Sequence, residues 1–324
     1  MKITVLDGYG LNPGDLSWEG MAELGDLTVY DRTSPSELLE RAEDSEILIT
    51  NKTVLNADTI SKLPKLKYIG VLATGYNVVD IEAARKAGVV VTNIPAYSTM
   101  SVAQTVFALL LAATNRVEHY TEENKAGRWS SNKDFCWWDT PLEELDRKRF
   151  GIFGLGHIGE TVARIALAFG MKVYAVTSKT QDKLPDYIIK ITKEEMFSTC
   201  DVISLHCPLT PETSQMIDEE AIRLMSLNKP ILINTARGGL INEKVVAHAL
   251  QDGKLKAYCT DVLSSEPPAA DNPLLLSPNT FITPHIAWAT EEARKRLMNI
   301  AVDNLKNWLA GKMVNVVNLP LNIR

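Results

Sequence analysis

The chain of 324 residues is 45% hydrophobic and 23% charged, which excludes a disordered polymer and exceeds what one core comfortably holds, so two domains are expected. A net charge of -6 argues against nucleic acid or an anionic membrane as partner, although a local arginine can still grip an anionic substrate. The longest apolar run, 106–113, is too short to span a bilayer, and Cys136, Cys200, Cys207 and Cys259 lack metal-ligand spacing, so reduced buried thiols, no metal and a cytoplasmic location are expected.

In chain order, Met1-Lys2-Ile3-Thr4-Val5-Leu6-Asp7 opens as a strand and not as a signal peptide. Segments 3–6, 27–30, 47–50, 68–72 and 89–92 read as strands alternating with helices, the pattern of a parallel sheet. The apolar segment 101–115 reads as a helix leading into a second series at 150–153, 173–176, 202–206, 231–234, 257–260 and 281–283, six strands of a Rossmann-type sheet. Its Val102, Val106, Phe107, Leu109, Leu110 and Leu111 offer more apolar surface than one sheet face needs, so part of it is expected to meet a second copy. Segment 291–309 carries Leu297, Ile300, Ala301, Leu305 and Leu309 at helical spacing and is expected to return to the first domain. The expected fold class is therefore α/β, with two doubly wound parallel-sheet domains. A dinucleotide-binding Rossmann domain at 100–286 is inserted in a discontinuous flavodoxin-like substrate domain at 1–99 and 287–324, with a cleft between the sheets.

The most informative stretch runs from Arg149-Phe150-Gly151-Ile152-Phe153 into Gly154-Leu155-Gly156-His157-Ile158-Gly159. It is a dinucleotide fingerprint in its proper context of strand, glycine turn and helix. Gly154 permits the tight turn, Gly156 clears room for a pyrophosphate, and Gly159 lets helix and strand approach, while the N–H groups opening the helix, from His157 and Ile158 onward, face the anion. Chemistry also gathers behind three later strands. Arg237, in Asn234-Thr235-Ala236-Arg237-Gly238-Gly239, could grip a carboxylate bidentately, with Thr235 and Ala236 small enough for close approach of a ligand. Asp261 and His285 follow the next two strands, at the edge where open parallel sheets bind ligands.

These motifs, with Asp261-Val262, Glu266-Pro267-Pro268 and Thr283-Pro284-His285-Ile286-Ala287-Trp288, resemble the D-isomer-specific 2-hydroxyacid dehydrogenases over nearly the whole chain. Segments Thr50-Asn51-Lys52-Thr53, Ala73-Thr74-Gly75-Tyr76-Asn77-Val78-Val79-Asp80, Asn93-Ile94-Pro95-Ala96-Tyr97-Ser98 and Asp134-Phe135-Cys136-Trp137-Trp138 look most like glycerate dehydrogenases, also called hydroxypyruvate reductases. The resemblance implies a homodimer that uses NAD or NADP on a small 2-keto or 2-hydroxy acid, with hydroxypyruvate or glyoxylate as first expectation. It implies that Arg237 binds the keto acid, that His285 moves the proton, and that Glu266 holds the imidazole and favours its charged form. It further implies that the Ala73-Thr74-Gly75 loop cradles the substrate carboxylate, that Trp138 or Trp288 lines the pocket, that Asp261 faces the nicotinamide carboxamide, and that Cys207 and Pro208 border the adenine.

One departure bears on cofactor choice. Where enzymes selecting NAD usually place an acid at the end of the second Rossmann strand, this chain reads Ala175-Val176-Thr177-Ser178-Lys179. Without that carboxylate, and with Lys179 near Thr177 and Ser178, NADP or dual use is expected. Two other readings are a dinucleotide-sensing protein like the corepressor relatives of this family and a phosphoglycerate dehydrogenase. The full Arg237, Glu266, His285 set speaks against the first, and the end of the chain at Arg324, without a regulatory domain, against the second.

Overall fold

The computed structural model describes residues 1–319, and the chain divides into two compact units, one of 1–98 with the segment from 289 onward, the other of 99–288. The first holds β1 (Lys2–Val5), β2 (Asp26–Val29), β3 (Ile47–Thr50), β4 (Tyr68–Val71) and β5 (Val90–Thr92), all parallel in the order β2-β1-β3-β4-β5. Every residue of β3 and β4 is buried, as expected for central strands covered on both faces. The helix Glu291–Leu309 starts where the Thr290 hydroxyl accepts the Ala293 N–H at 3.3 Å. It buries Leu297, Ala301 and Leu305, and Trp308 packs on Tyr68 of β4 with ring centroids 5.0 Å apart. Residues 320–324, counted with this domain in the sequence reading, lie outside the described residues.

The second unit holds β6 (Arg149–Phe153), β7 (Lys172–Val176), β8 (Ile188–Lys190), β9 (Val202–Leu205), β10 (Ile231–Asn234), β11 (Ala257–Thr260) and β12 (Thr280–Ile282). They form one parallel sheet in the order β12-β11-β10-β9-β6-β7-β8. This is seven strands where the sequence suggested six. The addition, β8, has three residues of which only Ile188 is buried, too short for a periodic signal. Strand order reverses between β6 and β9, so the loops that follow these two strands flank a topological switch point.

The helix Thr99–Asn115 corrects a second expectation. It buries Val106, Phe107, Leu109 and Leu110 in the core of this unit, packing on the helix His157–Ala168 and on β10, β11 and β12, while Val102 is also buried and Leu111 half-buried. Phe107 stacks on Phe150 and Phe169, with centroids 5.9 and 5.4 Å away. The apolar surface read as an excess is consumed by the chain's own core, so it gives no reason for a second copy. Of the four thiols, Cys200, Cys207 and Cys259 are buried but Cys136 is only half-buried. Among the described residues no single helix is long and apolar enough to cross a membrane.

Candidate active site

Three neighbouring strands of the seven-stranded sheet deliver the candidate residues to one edge. Arg237 follows β10 by three residues, Asp261 follows β11 directly, and His285 follows β12 by three. The turn carrying Arg237 is shaped by the buried Asn234, whose amide donates to the Arg237 carbonyl at 2.9 Å and accepts the Ala236 N–H at 3.1 Å. Gly238 then packs so tightly that an added Cβ would stand 2.0 Å from the Leu263 backbone. Only glycine permits that approach, and it draws the loops after β10 and β11 together. The exposed guanidinium gives one N–H to the Ala236 carbonyl at 2.6 Å, and among the described residues no acid is paired with it.

Glu266 is held at both oxygens. Oε1 accepts the Leu263 N–H at 3.1 Å and Oε2 meets His285 Nδ1 at 2.5 Å. With Nδ1 committed to the carboxylate, Nε2 is the ring atom left to exchange a proton with a ligand. His285 sits at φ 55°, a left-handed conformation uncommon for a residue with a side chain. The group that holds this turn is Asp261, 1% exposed, which accepts from the Thr283 hydroxyl at 2.6 Å and from the Ile286 and Ala287 N–H groups at 2.9 and 2.8 Å. Burial pushes the Asp261 carboxyl above its ordinary value. The Asp261 carboxylate is thus held in place by donors of its own chain. The Trp288 indole N–H donates to the His285 carbonyl at 2.9 Å, fixing the turn from the other side.

Beside this edge lies the glycine turn after β6. Gly154 has φ 96°, and a Cβ there would come within 2.8 Å of the His206 and Cys207 backbone, whereas one on Gly156 would meet nothing within 4 Å. The turn therefore packs on the loop after β9 and leaves open space at the first turn of the helix His157–Ala168, with His157 exposed, Ile158 half-buried and Gly159 buried. Thr235 presents a second cue, because its Oγ1 is buried without a partner in the described residues. An open cradle at a helix N-terminus and an orphaned hydroxyl at the same sheet edge fit a nicotinamide dinucleotide. Cys207 is buried, its thiol pushed up to about 11 by desolvation, and Pro208 is exposed beside it. No group of three or more acidic, histidine or cysteine side chains able to hold a metal occurs among the described residues.

Two residues near the cradle escaped the sequence reading. His206 Nε2 lies 2.8 Å from the Ser204 hydroxyl, and desolvation pushes its imidazole down to about 4 from an ordinary 6.5. The unfolded chain takes up this proton near pH 6.5 while the native state resists it until about pH 4, so stability is full above that window and falls as pH drops through it. Melting temperatures recorded from pH 8 to 4.5 should decline less steeply for His206→Gln than for the parent. Parallel declines would show that this ring contributes nothing to acid lability. The second missed residue is Glu160, whose carboxylate forms an ion pair with the Lys179 ammonium. The strand end has no acid, as read from the sequence, but the helix brings one to Lys179, and only folding joins residues 19 apart.

In the first unit, the segment Ala73-Thr74-Gly75 follows β4 and is tied to the loop after β5. Thr74 Oγ1 donates to the Ile94 carbonyl at 2.8 Å, and the Asn93 amide donates to the Thr74 carbonyl at 2.8 Å. Asn304, from the last helix, in turn holds the Asn93 carbonyl at 3.0 Å. Asp7, beyond β1, accepts the N–H groups of Asn51, Lys52 and Thr53 at 2.7, 2.6 and 2.7 Å. That role left no trace in the sequence beyond an acid after a strand.

Comparison with known proteins decides the family. The profile of "D-isomer specific 2-hydroxyacid dehydrogenase, NAD binding domain" matches residues 107–287. The chain belongs to the D-isomer-specific 2-hydroxyacid dehydrogenases. It is 48% identical to a hydroxypyruvate reductase of Blautia hydrogenotrophica, covering 98% of this chain and 100% of the relative. It is 40% identical to a glycerate dehydrogenase of Methylorubrum extorquens over 89% of this chain and 90% of the relative. Among solved structures, an acyclic imino acid reductase in complex with NADPH and D-Arg superposes with a TM-score of 0.83 at 32% identity, covering 98% of this dehydrogenase and 100% of that chain.

Proposed function

We propose that this dehydrogenase reduces a small 2-keto acid, hydroxypyruvate or glyoxylate, to D-glycerate or glycolate. The observation that carries the reading is the Glu266–His285 pair at the same sheet edge as Arg237, an arginine that among the described residues is paired with no acid. When bound, the nicotinamide dinucleotide supplies the hydride that goes to the keto carbon. Arg237 directs its free N–H groups to the keto acid, and His285 delivers the proton from Nε2 to the carbonyl oxygen as the alcohol forms. Glu266 fixes the ring through Nδ1, leaving Nε2 to face the substrate. Trp288, whose indole N–H holds the His285 carbonyl, lines the pocket.

Similarity to the Blautia and Methylorubrum enzymes supports the choice of substrate. Steady-state rates on hydroxypyruvate, glyoxylate, pyruvate and phosphohydroxypyruvate, each with NADH and NADPH, test it. Hydroxypyruvate or glyoxylate should lead in kcat/KM by at least about tenfold, and a lead by phosphohydroxypyruvate would replace the reading with the phosphoglycerate one.

The same reading includes a homodimer and a cytoplasmic setting, the latter supported by four free thiols. Support for the dimer comes not from the apolar helix but from the segment after it, where Phe135 is 90% and Trp138 66% exposed, with Trp129 and Leu142 also open. Sedimentation should give a dimer at micromolar concentration that Phe135→Ser with Trp138→Ser weakens. A fully active monomer in the parent protein would reject it.

A further inference from the structure

We propose that Glu160 sets the dinucleotide preference of this enzyme by holding Lys179 in an ion pair. The inference rests on the dinucleotide reading above and adds a selectivity residue to it. Lys179 stands just beyond β7, the strand beside β6 and its glycine turn, where this fold class discriminates the two dinucleotides at the adenosine ribose. Its backbone is well fixed. The Lys179 N–H donates to the Thr177 hydroxyl at 3.2 Å, and the Lys190 ammonium donates to the Lys179 carbonyl at 2.7 Å. Gln181 ties the same loop to β8, donating to the Ile188 carbonyl at 2.9 Å and accepting the Lys190 N–H at 2.8 Å. Lys190 is thereby occupied with a carbonyl, and Lys179 is the ammonium of this pair that faces an acid.

That acid is Glu160, in the first turn of the helix His157–Ala168, one residue beyond the last glycine of the turn. Helix N-termini favour anions, so the carboxylate is well placed there. Side-chain exposures of 39% for Lys179 and 42% for Glu160 leave the pair open to solvent. Such a pair is weak enough for a ligand to break. A 2′-phosphate would have to displace Glu160 from the ammonium and would stand beside a carboxylate of like charge, whereas an unphosphorylated ribose meets a neutral pair with further hydrogen-bond acceptors. Glu160 thus acts as the repelling acid that the end of β7 lacks, delivered from the neighbouring helix.

Dissociation constants for NADPH and NADH, read by nicotinamide fluorescence on the parent enzyme, Glu160→Gln, Lys179→Ala and the double variant, test the proposal without reliance on turnover. Glu160→Gln should tighten NADPH by about threefold to thirtyfold and leave NADH within about twofold. Lys179→Ala should weaken NADPH selectively, and in the double variant the gain from Glu160→Gln should shrink to at most about twofold. Titration with 2′,5′-ADP against 5′-AMP should show the same split. If NADH binds normally and Glu160→Gln leaves the NADPH to NADH ratio unmoved, or if the full gain survives without Lys179, the Glu160 assignment is wrong while the dinucleotide reading stands. Failure of both nucleotides to bind the parent would overturn the two together.

Discussion

His285→Ala is expected to lower turnover by about a hundredfold to ten-thousandfold while nucleotide affinity stays within a few-fold of the parent. Its Nδ1 is committed to Glu266 and the turn is held independently by Asp261, so the substitution removes a proton carrier without dissolving its support. Alanine at φ 55° carries a backbone strain of its own, which a loss of activity would confound. Asparagine tolerates the left-handed region well, so His285→Asn keeps the turn and discards the imidazole. Both variants should lose turnover alike. Near-parental rates in His285→Asn would remove His285 from the proton path, and loss confined to His285→Ala would assign the effect to the backbone.

The second large effect is expected at Arg237. Arg237→Lys should raise KM and reduce turnover together, costing about tenfold to a thousandfold in kcat/KM, or roughly 1.4–4 kcal/mol of transition-state stabilisation. A guanidinium can keep its 2.6 Å bond to the Ala236 carbonyl and still present paired N–H groups to a keto acid. An ammonium has no planar fork to divide between the two. Double-reciprocal kinetics on hydroxypyruvate, with dinucleotide binding measured in parallel, check this, and unchanged kinetic constants would mean that the side chain only faces solvent.

Much of the architecture was legible in the chain because the signals were local. The strands flanking the glycine turn, the last helix at 291–309 and the positions of Arg237 and His285 after strands all follow from periodicity and punctuation within short windows. What escaped depends on partners distant in sequence. β8 has three residues, and nothing in Ile188-Ile189-Lys190 announces an edge strand until β7 is beside it. The apolar stripe of Thr99–Asn115 counts the same whether it faces a second copy or its own sheet, and only the fold shows Phe107 lodged between Phe150 and Phe169. Glu160 looked like any acid in a first helical turn, a placement favoured by the helix dipole alone. Asp261 was found by its position after β11, but the donors that hold its carboxylate, from Thr283, Ile286 and Ala287, lie 22 to 26 residues away and are brought to it only by the fold.

The Asp261 turn also bears on local opening. Loop amides normally exchange with solvent by small fluctuations, far below the global unfolding limit. The Ile286 and Ala287 amides instead end on a buried carboxylate that would be stranded if they let go, since a charge left without donors in a dry site is costly. Native-state hydrogen exchange should therefore find these two loop amides as slow as those in the interior of β11, and Asp261→Asn should speed both. Breathing at this edge of the sheet is then all-or-none across 283–287.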